Sequence, residues 1–453
     1  MTVPGRRWIQ HWDPEDETFW KETGERVARR NLFFSVLSEH IGFSVWTLWS
    51  VLVLFMGPEY GLTPADKFLL TSVVTLVGAV VRVPYTFAVA VFGGRNWTII
   101  SAGLLLVPTV AAFAVMEPGT SFSTFLLVGL LAGIGGGNFA SSMTNINAFF
   151  PLRKKGWVLG LNAGGGNIGV PVIQLTALAI IGAGGGPRVL LGIYIPLILV
   201  AAVLAARFMD NLASVKNDTG AAKDAARDGH TWIMAVLYIG TFGSFIGYSF
   251  AFGQVLTTQF GRTPLQAAYL TFIGPLLGSL IRPLGGRLAD RYGGARITLW
   301  NFVAMAAATA VLVAASMAKS LALFVAVFVA LFVLSGLGNG STFKMIPGIF
   351  QNKALARGLT GEEAVAYGRR LSGASMGLIG AVGALGGVAI NLAFRQSFLS
   401  VGSGTGAFVA FLAYYAVCFA VTWAVYLRRP AVRTPDGPAD TAEAKSRLSY
   451  AEV

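Results

Sequence analysis

Apolar residues run through the chain in long blocks, separated by short clusters of glycine, proline and charge. A helix needs about 20 consecutive apolar residues to cross the hydrocarbon layer of a bilayer. Blocks of that length predict spans at 31–56, 66–90, 96–115, 123–148, 157–182 and 189–209, and again at 231–254, 265–286, 296–317, 320–345, 370–394 and 405–428. The pattern predicts an all-α membrane protein of twelve transmembrane helices: an N-terminal segment (1–30), a six-helix bundle (31–209), a polar linker (210–230), a second bundle (231–429) and a tail (430–453). The first thirty residues contain no apolar block, so a cleavable signal peptide is not expected. The linker gathers Lys216, Asp218, Lys223, Asp224, Arg227 and Asp228 among small residues, and the polar, alanine-rich tail from Pro430 is expected to be disordered.

Composition supports this class. Hydrophobic residues make up 55% of the chain and charged residues 12%, about half the charged share of an average soluble domain. The net charge of +13 would suit nucleic acid if it were clustered. Instead Lys and Arg concentrate in the N-terminus, alternate loops and the tail, which by the positive-inside rule places both termini in the cytoplasm at the plasma (inner) membrane. Arg153-Lys154-Lys155 and Arg287, Arg291 and Arg296 are then topology anchors near anionic lipid. Cys418 is the single cysteine and His11, His40 and His230 are scattered, which leaves no intramolecular disulfide and no cysteine or histidine metal cage. Gly164-Gly165-Gly166-Asn167-Ile168-Gly169 spells a dinucleotide fingerprint, but no strand precedes it and no acidic ribose ligand follows, so no nucleotide cofactor is expected. No set of nucleophile, base and acid suggests an enzyme.

The informative charges lie inside the spans. Arg82 and Arg282 each interrupt an apolar block, and each is followed ten residues later by an aromatic-Gly-Gly turn: Phe92-Gly93-Gly94-Arg95 and Tyr292-Gly293-Gly294-Ala295-Arg296. This is an internal duplication with a cation at its centre. An arginine at mid-bilayer costs roughly 3 kcal/mol on the insertion scale, so two at equivalent points imply a shared site for an anion. Lys344, near the inner end of span 10, is expected to snorkel to the interface.

Gly285-Gly286-Arg287-Leu288-Ala289-Asp290-Arg291-Tyr292-Gly293-Gly294 resembles the loop motif of the major facilitator superfamily, and Phe92-Gly93-Gly94-Arg95-Asn96 is a degenerate counterpart. Three further segments are similar to signature segments of the nitrate/nitrite porter (NarK-type) family: Gly133 to Ile146, Gly160 to Gly169, and Gly336 to Pro347. The resemblance extends over nearly the whole chain, from Trp12-Asp13-Pro14-Glu15-Asp16 onward. It implies a major facilitator fold with inverted repeats, a single working chain, and nitrate and nitrite as substrates. It also implies an anion clamp of Arg82 and Arg282, lined by Phe43, Phe139, Tyr238 and Phe242. Tyr238 and Phe242, four residues apart, share a helix face. Buried amides need partners in lipid, so some of Asn138, Asn145, Asn162 and Asn167 are expected along the path. Gly164, Gly165, Gly166, Gly336, Gly338 and Gly340 would let helices cross closely and slide.

Ser38-Glu39-His40 departs from the simplest family members, whose path holds no titratable acid. Glu39 and Arg82 stand about equally deep, so a contact is expected. Two roles remain open for Glu39 and His40: proton coupling, in which Glu39 neutralises Arg82 until protonation frees the arginine for nitrate, or a structural pair. The first gives nitrate:proton symport and the second nitrate/nitrite antiport. A nitrate receptor that does not transport would be expected to carry a large soluble output domain, which the short tails and linker do not provide.

Overall fold

A computed structural model of the chain describes residues 7–215 and 218–428, without the side chains at 152, 153, 155, 156 and 362. Lys216, the side chains of Arg153 and Lys155, and the tail from Pro430 lie outside the described residues. Among the described residues, twelve helices are long and apolar enough to cross a membrane: α1 (Glu17–Phe55), α2 (Pro64–Phe92), α3 (Gly94–Val115), α4 (Phe122–Phe149), α5 (Trp157–Gly182), α6 (Pro187–Phe208), α7 (Gly229–Phe260), α8 (Pro264–Tyr292), α9 (Gly294–Met317), α10 (Leu321–Ala356), α11 (Glu363–Val401) and α12 (Thr405–Leu427). Both aromatic-Gly-Gly turns have the same backbone. Gly93 at φ 87° and Gly293 at φ 89° turn the chain between the second and third helices of each half, a conformation that a side chain would strain.

Several helices run further than the apolar blocks, α1 and α10 toward the face that carries the linker, α7 away from it and α11 at both ends. On the linker face charge pairs hold the helix ends. Lys353 on α10 pairs with Asp228, and Arg370 on α11 pairs with Asp218 at 2.6 Å and Asp224 at 3.0 Å. The stretches expected to be a plain N-terminal segment and linker are built structure. Strand β1 (Trp8–Ile9) pairs in parallel with β2 (Asn211–Leu212). Asp210 accepts from Arg30 at 2.5 Å and from Asn31 at 3.0 Å, Trp12 donates to the Phe149 carbonyl at 3.2 Å, and Trp20 packs on Phe150. A linker helix, Thr219–Arg227, is capped by Asp218 and buries Ala221 and Ala225. Amphipathicity explains it: two small apolar residues four apart dock while the charges stay wet.

The two halves meet tightly on the face away from the linker. Phe68 on α2 stacks on Phe394 and Phe398 of α11 with centroids 5.5 and 5.4 Å apart. Thr71 donates to Asn391 at 3.1 Å, and Gln254 donates to the Pro64 carbonyl at 2.7 Å. Toward the linker the halves part around a cavity of about 350 Å³ that runs from Arg82, Phe139 and Phe343 past Met143 to Asp218 and Arg370. The structure is therefore sealed on the far face and open toward the linker.

Candidate functional site

Arg82 lies at the inner end of this cavity and is fully buried. Its Nε donates to the Gly136 carbonyl at 3.2 Å and its Nη1 to the Gly380 carbonyl of the other half at 3.1 Å. Gly136 is available because α4 tightens into a 3-10 turn over Gly133–Gly137, which loosens the regular i to i−4 bonding. The phenyl rings of Phe139 and Phe242, one from each half, flank the guanidinium with centroids 4.8 Å from Cζ, and Trp46 stands at 5.4 Å. Bonds to a charged donor are worth about 1.5–3 kcal/mol each and buried cation–π contacts about 2 kcal/mol. Together they offset the roughly 3 kcal/mol insertion cost. One nitrogen, Nη2, remains buried without a partner.

Arg282 is held more lightly. Its Nη2 donates to the Tyr238 hydroxyl at 3.2 Å, Phe343 lies 5.9 Å from its Cζ, and Nη1 has no partner. Tyr238 and Phe242 do share a face, and their rings stack at 5.1 Å and 10°. The π-helical turn Ile239–Gly243 follows Tyr238 directly, and Phe43 completes the aromatic wall edge-on to Phe139 at 6.0 Å. Two cations, one from each half, thus share a wall of interlocked aromatic rings, and each keeps a free donor nitrogen.

Glu39 is buried in α1, but the expected contact with Arg82 is not formed. Among the described residues no ion pair joins it to either arginine. Its Oε2 instead accepts from Asn162 at 2.8 Å, and Oε1 is unpartnered. The physical reason is packing: the α1–α5 crossing has glycine at Gly166, so close that a Cβ there would stand 2.1 Å from Glu39 Oε1. The carboxyl therefore turns into the α5 interface. His40 faces elsewhere, with Nδ1 3.4 Å from the Gly165 carbonyl.

The four asparagines do not act as a set. Asn138 packs on Gly42 with Oδ1 unpartnered, and Asn167 is buried with Oδ1 unpartnered. Asn162 serves Glu39. Asn145 packs against Gly94 at the α2–α3 turn, twelve residues from Arg82 along the chain, so it is not brought to the arginines. Gly336 and Gly340 press α10 onto α8 at the carbonyls of Gly278 and Arg282, and Gly338 meets Asn301 and Thr241. Gly165 meets Val36, whereas Gly164 has open space and takes no part in a close crossing. Lys344 does not simply snorkel: it pairs at 2.6 Å with Asp290 of the loop motif.

The sequence profile of the Major Facilitator Superfamily matches residues 32–391. The chain is 38% identical over 447 residues to "Nitrate/nitrite transporter NarU" of Escherichia coli (strain K12), covering 93% of this chain and 96% of the relative. The chain belongs to the nitrate/nitrite porter family of the major facilitator superfamily. A second porter, "Probable nitrate/nitrite antiporter NarK2" of Thermus thermophilus, is 32% identical over 94% of this chain and 97% of its own. The solved D-xylose-proton symporter shares the fold alone, with a TM-score of 0.63 at 15% identity over 87% of this chain and 97% of that one.

Within this porter, four residues at the site were not legible beforehand. Trp46 and Phe343 contact the arginines, and the carbonyls of Gly136 and Gly380 hold Arg82. Trp46 lies three residues from Phe43 on one helix face, a signal that spacing carries. Gly380 carries none, because a backbone carbonyl in a glycine-rich helix looks like any other.

Proposed function

We propose that this porter takes up nitrate across the plasma membrane by alternating access, holds the anion between Arg82 and Arg282, and moves one proton with it on Glu39. The observation that carries the reading is the pair of buried, unpartnered guanidinium nitrogens, Arg82 Nη2 and Arg282 Nη1, one from each half. A planar anion with one charge spread over three oxygens matches flat guanidinium forks, and the rings of Phe139 and Phe242 suit its faces better than those of a strongly hydrated tetrahedral ion. One chain supplies both arginines, so the porter works as a monomer. The linker face is cytoplasmic by the distribution of Lys and Arg, and the cavity leads there.

Charge supports the coupling. With Glu39 ionised and no anion, the two arginines and the carboxylate sum to +1; with nitrate bound and Glu39 protonated the sum is again +1. Both forms that reorient thus carry the same charge across the bilayer. One nitrate with one proton is electroneutral and avoids opposing an inside-negative potential, which costs about 2.3 kcal/mol per charge per 100 mV. His40 is turned to the α5 backbone, with Nδ1 3.4 Å from the Gly165 carbonyl.

The second reading is nitrate/nitrite exchange. It is favoured by the name of the Thermus relative and by the separation of Glu39 from both arginines, since two uncompensated cations would resist reorientation without an anion. Purified protein in liposomes decides between them. Proton-coupled uptake predicts nitrate accumulation under an inward proton gradient without internal nitrite. Accumulation that requires internal nitrite and ignores the gradient would establish exchange, and binding without any flux would indicate a receptor.

A further inference from the structure

The Glu39 carboxyl on α1 is held by an amide from α5: Asn162 Nδ2 donates to Oε2 at 2.8 Å. Both ends of that amide also meet one hydroxyl. Ser142 Oγ on α4 lies 2.8 Å from Asn162 Nδ2 and 3.1 Å from Asn162 Oδ1. Ser142 Oγ is in turn 2.9 Å from Ser35 Oγ, a contact in which either oxygen can donate. Glu39, Asn162, Ser142 and Ser35 are all buried, so a change of hydrogen bonding at one of them must be answered by the others. An amide presents a donor and an acceptor half a rotation apart, and a hydroxyl offers both at one atom. The cluster can therefore be satisfied in two ways.

We propose that Asn162 is the positioning residue that holds the Glu39 carboxyl in both of its charge states, by turning its amide over when the proton arrives. This rests on the reading of Glu39 as the proton carrier. An ionised carboxylate only accepts, and the amide meets it as observed, with Nδ2 toward Oε2. A protonated carboxyl must donate. Half a turn of the amide then puts Oδ1 where Nδ2 stood and offers the acid hydrogen an acceptor. Ser142 follows by accepting from Nδ2, and its own hydrogen points to Ser35, 2.9 Å away. Only hydrogens reorient, and no covalent bond in Asn162, Ser142 or Ser35 is made or broken. The groups that face Glu39 from α4 and α5 are thus neutral, while Arg82 of α2 and Arg282 of α8 act on it through space. On α1 itself His40 is turned to the Gly165 carbonyl. Of the other helices packed on α1, α6 presents Tyr194 at Ser44, and α7 presents Tyr238, which accepts from Arg282.

The test uses the full-length protein in liposomes and compares net nitrate uptake under an inward proton gradient with nitrate/nitrate exchange. Asn162→Leu roughly keeps the side-chain volume and removes the donor. Net uptake should fall roughly 10- to 150-fold, the worth of one hydrogen bond to a charged group, because the anion-free carrier returns with Glu39 ionised. Exchange never passes through that form and should stay at the wild-type rate. Raising the lumenal pH by about two units at constant external pH should close most of the gap to wild type, since each unit raises the ionised-to-protonated ratio tenfold. A side chain that only packs would give a loss that pH does not repair. Asn162→Met, flexible and equally without a donor, serves if the leucine variant does not fold. Wild-type net uptake in a folded variant, or a joint loss of uptake and exchange that lumenal pH leaves unchanged, would overturn the role of Asn162. If Glu39→Gln keeps gradient-driven uptake, the reading of Glu39 fails. If it loses the drive while Asn162→Leu keeps it, the role of Asn162 alone fails.

Discussion

Replacing Arg82 by lysine keeps the charge and removes the planar fork, which isolates what geometry contributes to anion binding. In the wild type Nε and Nη1 are held by the Gly136 and Gly380 carbonyls, which aims Nη2 as a free donor. A lysine ammonium at the same place must either leave those carbonyls unsatisfied or turn toward them and away from the anion. Loss of one charge-assisted hydrogen bond costs about 1.5–3 kcal/mol. The weaker seat between Phe139 and Phe242 adds some tenths, for a total of about 2–3 kcal/mol and a Kd raised roughly 30- to 150-fold. Arg282→Lys should fall in the same range, since it also offers one free donor. Calorimetric titration of nitrate into purified protein measures this, with melting temperature as a check on folding. Kd values within threefold of wild type for both folded lysine variants would refute the clamp.

Gly166→Ala should cut transport at least tenfold, because its Cβ would stand 2.1 Å from Glu39 Oε1 and overpacking costs about 1–3 kcal/mol. Gly164→Ala, facing open space, should transport normally in the same uptake assay, and equal damage from both would show that crossing distance is not what matters. At the cavity mouth, Arg370 beside Asp218 holds its carboxyl below the usual 3.8. A depressed folded-state pKa gives a contribution that is complete above the unfolded value and is lost as pH falls through the folded one. Amide exchange in Thr219–Arg227 should therefore be insensitive to pH-dependent opening from pH 8 to 5 once intrinsic rates are removed, and Arg370→Ala should speed it. The Lys344–Asp290 pair is half exposed on both sides, so Lys344→Ala should change transport less than about fivefold, in keeping with a surface ion pair of 0–1 kcal/mol; total loss would assign the pair a larger part in gating.

The number, order and doubling of the helices were legible because each rests on one local property. Apolar length marks a span, and a glycine with positive φ marks the turn at both Gly93 and Gly293. Arg82 and Arg282 announced themselves by the cost of charge in lipid, and the Tyr238–Phe242 stack by spacing. The partners of Glu39 were not legible. Depth along two helices suggested Arg82, but rotation about the α1 axis and the close approach at Gly166 turned the carboxyl to Asn162, and neither is written in hydropathy. The paired strands β1 and β2 are two residues each, too short for alternation to reveal, and the linker helix looked like solvated polarity because its buried face consists of two alanines.

The most direct test of proton-coupled uptake is to compare net uptake with exchange in Glu39→Gln, whose neutral amide imitates the protonated acid. The account predicts that nitrate/nitrate exchange persists, nitrate Kd loses its pH dependence, and accumulation driven by a proton gradient disappears, because the anion-free carrier now bears +2. Gradient-driven accumulation at the wild-type rate in this variant would contradict it, and would return Glu39 to the packing of α1 against α5.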